Sequence, residues 1–95
     1  MTRAEQLEAA ADAWRDALGK AKAAEGRTVA AQGALSAAEM PFWERMPTDE
    51  ERAAIVPLRA AQEEAERAHA GACRDLGLAL DALLQIAAAP SPLSP

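Results

Sequence analysis

The chain has 95 residues, the scale of one domain, and 51% of them are hydrophobic. That share overstates the core, because 27 of the 48 hydrophobic residues are alanines, which bring little area to bury. Net charge is −5, with fifteen acids against ten bases and no basic block, which argues against a grip on nucleic-acid phosphates or on an anionic membrane surface.

Thr2 stands where a helix N-cap would, and Glu5 three residues on has the capping-box position. From Arg3 to about Glu39 nothing interrupts a helix except three glycines. With Leu7 at heptad position a, one seam carries Leu7, Trp14, Ala21, Thr28 and Leu35, and the d positions are Ala10, Ala17, Ala24, Ala31 and Ala38. Alanine at every d position lets a second helix approach closely, and the sustained seven-residue period predicts coiled-coil packing. Gly19, Gly26 and Gly33 also recur every seven residues, beside Ala9, Ala23, Ala30 and Ala37. Each glycine costs roughly 1 kcal/mol against alanine in a helix. This second small-residue face is either drift in an Ala/Gly-rich sequence or a place where another chain packs.

Met40-Pro41 ends the first helix, since proline lacks an N–H and restricts the residue before it. A connector over 40–48 follows, and Thr48 with Glu51 signals a second capped start. The second helix is expected over about 49–88, with Pro57 either kinking it near Ala53 or splitting it in two. Its seam reads Ala54, Leu58, Ala61, Ala65, Ala68, Ala72, Leu76, Ala79, Leu83. Residues 90–95 read as a flexible Pro/Ser tail.

A short connection makes the helices antiparallel neighbours, so the fold class is all-α, an Ala-rich coiled-coil-like hairpin over 1–89. The C-terminal half of the second helix is greasier than one thin partner can cover. Trp14, Leu76, Leu80, Leu83 and Leu84 are therefore the expected oligomer interface, with a homodimeric four-helix bundle as the expected assembly.

His69 and Cys73 lie four apart on one face, a spacing that suits metal ligation or thiolate activation. Zinc wants four ligands, and the sequence has no other Cys or His, so no metal or cofactor is expected. Stacked acids such as Glu8/Asp12 and Asp12/Asp16 read as solvated surface, as do the pairs Asp16/Lys20 and Glu63/Arg67. No phosphate loop or nucleophile elbow is present, and a non-enzymatic role is expected. The lone cysteine, the charged start and the lack of a long apolar run fit a cytoplasmic home with no membrane span.

The connector is the leading candidate for partner binding. Phe42, Trp43 and Met46 set three large apolar side chains near Arg45, and Trp and Arg are frequent interface anchors. The alternative is that Phe42 and Trp43 fold back to plug the end of the hairpin, and one can turn inward while the other turns outward.

The outline, with a Trp in the turn of a hairpin about a hundred residues long, resembles the secreted Trp-x-Gly proteins (WXG100). Trp43-Glu44-Arg45 lacks their glycine, and the sequence has no tyrosine for their C-terminal export signal, so the likeness covers architecture alone. The stretch from Arg74-Asp75-Leu76 to Gln85-Ile86-Ala87-Ala88-Ala89-Pro90 resembles the C-terminal helix of phage anti-CBASS sponges, small helical oligomers that sequester cyclic nucleotides. That resemblance implies an inter-subunit pocket with phosphate donors such as Arg67 or Arg74. The reading of the residues themselves is a non-catalytic binding or assembly factor acting on a protein partner. By analogy, such small acidic helical chains are common among phage and mobile-element accessory proteins that inhibit host defence.

Overall fold

The computed structural model describes residues 1–89, and the expected Pro/Ser tail lies outside them. Two long helices pack against each other: α1, Arg3–Glu39, and α2, Asp49–Ala88. A 3-10 turn, Met40–Trp43, leaves α1 and begins the connector. At about 1.5 Å per residue, α2 is roughly 60 Å long.

Both helix starts are capped by threonine. Thr2 accepts from the Glu5 N–H at 3.1 Å, which is half of the expected box. At Thr48 the box is complete: its hydroxyl accepts from Glu51 N–H, and the Glu51 carboxylate accepts from Thr48 N–H. α2 continues through Pro57 as one element. Pro57 and Ala53, whose carbonyl proline leaves without its helical donor, are both on the exposed side of the helix.

The α1 seam falls where the heptad predicts. Every one of its a and d residues is half-buried or buried, and Ala24, at 1% exposed, is the most enclosed side chain of the described residues. Thr28 donates from its hydroxyl to the Ala24 carbonyl at 3.0 Å and across the interface to the Ala65 carbonyl at 3.3 Å. At the open end of the hairpin, the Arg3 guanidinium donates to the Ala87 carbonyl at 2.9 Å. This bond ties the start of one helix to the end of the other and helps to satisfy α2's terminal carbonyls.

The α2 seam differs from the expected one. Ala54, Ala61 and Ala68 are exposed, and the covered positions are their neighbours Ile55, Gln62 and His69. The resulting series Ile55, Leu58, Gln62, Ala65, His69, Ala72, Leu76, Ala79, Leu83, Ile86 is an unbroken alternation of three- and four-residue steps. Ile55, 7% exposed, is the one buried large side chain among the described residues. The core of the hairpin is thus thin: its large apolar side chains lie towards its two ends, and between them alanines alternate with the half-buried polar Gln62 and His69.

Candidate interaction surfaces

At the connector end, the 3-10 turn fixes which side chains face out. Residues three apart in such a turn lie above one another. Met40 and Trp43 share one side in this way, and they are 64% and 88% exposed. Phe42 turns the other way and is half-buried, lining a recess of about 350 Å³ with Pro47, Ile55 and Val56. One aromatic points in and one points out.

Arg45 and Glu51 hold this arrangement. The guanidinium donates to both carboxylate oxygens, Nη1 to Oε1 at 2.7 Å and Nη2 to Oε2 at 2.6 Å. Its centre also sits 5.9 Å from the centroid of the Phe42 ring. Hydrogen bonding from Arg45, reinforced by the Thr48 N–H, holds the Glu51 carboxyl down to about 2. One carboxylate therefore locks both the connector and the start of α2. Of the four residues expected to meet a partner, Trp43 and Met46 are open at 88% and 81%, while Arg45 and Phe42 are engaged within the chain. Met40 and the 66%-exposed Val56 join this apolar end without having been singled out by the sequence.

At the opposite end, Trp14, Leu76 and Leu83 are half-buried on the seam between the helices. Leu80 and Leu84 are exposed on the flank of α2, and Leu78 is exposed further round. The five residues expected to form one oligomer interface are thus divided between the interior of the hairpin and its surface.

Along the middle of the rod runs a groove of about 470 Å³, lined by alanines with Asp16, Asp75 and Lys20. Two carboxylates and one ammonium give it no excess of positive charge for an anion. The His69 Nε2 lies 3.4 Å from the Cys73 Sγ. No third metal-ligating side chain joins them: no cluster of three or more His, Cys, Asp or Glu suited to a metal ion occurs among the described residues. Asp16 pairs with Lys20 at 3.1 Å, whereas Glu63 and Arg67 make no ion pair among the described residues. No described helix is long and apolar enough to cross a membrane.

Comparison with family models, with curated proteins and with solved structures finds no match. The two resemblances rest on the residues quoted for them alone.

Proposed function

We propose that this chain acts by binding rather than by catalysis, as a self-associating helical hairpin that presents its connector end to a protein partner. The observation that carries this reading is the division of labour at the connector. Arg45, Glu51 and Phe42 fasten the loop, and the same geometry turns Trp43 and Met46 outward. A large aromatic held exposed on a fixed turn loses little conformational entropy on binding, which is why such residues anchor interfaces. Self-association is supported by the exposed leucines at the other end, which a lone hairpin leaves in water.

The test is capture of a partner from the native host by the wild-type chain and by Trp43→Ala. The variant is expected to lose capture while keeping the wild-type melting temperature. Equal capture by both chains would overturn the role of the connector.

A further inference from the structure

Leu80 and Leu84 belong to a longer pattern. Ala70, Cys73, Gly77, Leu80, Leu84 and Ala87 are spaced 3, 4, 3, 4, 3, and all six are exposed. This is a second heptad seam on α2, about 100° round the helix from the seam that meets α1. It ends where Glu63 and Glu66 take over the same stripe. We propose that this seam is the dimer interface, and that a second copy of α2 lies along it antiparallel, with Leu80 set over the partner's Gly77 and Leu84 over the partner's Cys73. The proposal rests on the self-association reading above and adds to it the face, the direction and the register.

Three observations select that occupant. First, in antiparallel pairing the two kinds of seam position alternate across the axis, so residue numbers facing each other sum to a constant. One constant pairs Leu80 with Gly77, Leu84 with Cys73 and Ala87 with Ala70, a large residue over a small one or small over small throughout. A β-carbon added to Gly77 would meet nothing within 4 Å in the lone hairpin, so the space over that glycine is free for a partner's leucine.

Second, the outer edge of the seam carries Arg74 and Asp81, neither of which makes an ion pair among the described residues. Antiparallel pairing brings Arg74 towards the partner's Asp81 twice over. In a parallel pair the two-fold axis would put the two copies of this edge on opposite sides, so Arg74 would not meet the partner's Asp81. Such rim charges add little affinity but decide orientation. Third, the chain exposes 7005 Å², against about 5,200 Å² expected of a compact monomer of 10.0 kDa. A standard interface removes about 800 Å² from each partner, which brings the area towards that value.

The register is tested with disulfides on the full-length chain. In the proposed pairing the two Cys73 residues are offset by about 16 Å along the axis, too far to bridge, since bridged cysteines have α-carbons within about 7 Å. Wild-type protein, at twice the 10.0-kDa chain mass by light scattering, is therefore expected to stay uncrosslinked with oxidised glutathione. Leu84→Cys is expected to give a covalent dimer, each Cys73 bonding the partner's introduced thiol as glutathione disulfide is reduced. Gly77→Leu, harmless to the lone helix, is expected to halve the mass while the helical circular dichroism remains. Wild-type crosslinking through Cys73 would show a parallel pair or another antiparallel register, and either would overturn the proposal. A dimer that Leu84→Cys fails to crosslink and Gly77→Leu fails to split would overturn the face and register while leaving self-association standing. A wild-type monomer would overturn both.

Discussion

The Thr28 hydroxyl reaches the Ala65 carbonyl on the facing helix at 3.3 Å. A side chain that short spans an interface only if the two backbones are close, and Ala24, one turn away and 1% exposed, is what brings them close. Leucine is nearly as good a helix former as alanine, and on a loosely packed surface the exchange is close to neutral. At position 24 it forces the helices apart. Ala24→Leu is expected to destabilise the hairpin by about 1–3 kcal/mol, the usual range for overpacking. Ala9→Leu, on the exposed face, is expected to change stability by less than about 0.5 kcal/mol. Urea denaturation of the two variants checks the contrast.

Alanine also explains how much of the fold could be read from the sequence. On α1 the contrast between Leu7 and Trp14 and their charged neighbours set the seam, and the alanines at d followed. On α2 hydrophobicity misled, because Ala61 and Ala68 are more apolar than Gln62 and His69, the neighbours that are covered. Gln62 and His69 read as surface residues, yet both are half-buried on the seam. Strict spacing was the better guide. The expected series needed two four-residue steps in a row, from Ala68 through Ala72 to Leu76, whereas the observed one never breaks alternation. At the connector, which of Phe42 and Trp43 turns inward was not legible, because that depends on the 3-10 turn and on the Arg45–Glu51 clamp.

The two aromatics of the connector should separate in their effects. Phe42 is half-buried beneath the Arg45 guanidinium and lines a recess with Pro47 and Ile55, whereas Trp43 is 88% exposed. Full burial of such a ring makes truncation to alanine cost about 3–5 kcal/mol, so the half-buried Phe42→Ala should cost about 2 kcal/mol. Trp43→Ala should cost less than about 0.5 kcal/mol, as surface changes do. Thermal melts followed by circular dichroism distinguish the two, and equal losses would contradict the placement of the rings.

Glu51 makes stability depend on acid. Hydrogen bonding from Arg45 first, then from the Thr48 N–H, lowers its carboxyl from 4.5 to about 2. A folded-state value below the unfolded one favours the folded chain above the unfolded value. That contribution is whole above about pH 4.5 and is lost as pH falls through about 2. The pair is open to water, so salt weakens it. Glu51→Gln should therefore be less stable than wild type at pH 7, with the gap narrowing steadily as pH approaches 2. Denaturant midpoints at several pH values measure it, and a gap independent of pH would place the source elsewhere than in the carboxylate charge.

Gly19, Gly26 and Gly33 are the remaining regularity in α1, and their face is open. A β-carbon added to any of them would meet nothing within 4 Å, and Ala9, Ala23, Ala30 and Ala37 beside them are exposed. In a helix facing water, glycine to alanine gains about 0.5–1 kcal/mol by removing backbone freedom from the unfolded chain. The triple Gly→Ala variant is thus expected to gain about 1.5–3 kcal/mol, which for a chain of this size raises the melting temperature by several degrees per kcal/mol. Its mass should match wild type, because the seam from Ala70 to Ala87 lies on the other helix. If the variant melts higher but falls to half the mass, the glycines let a second chain approach α1, and the dimer is built on that face instead.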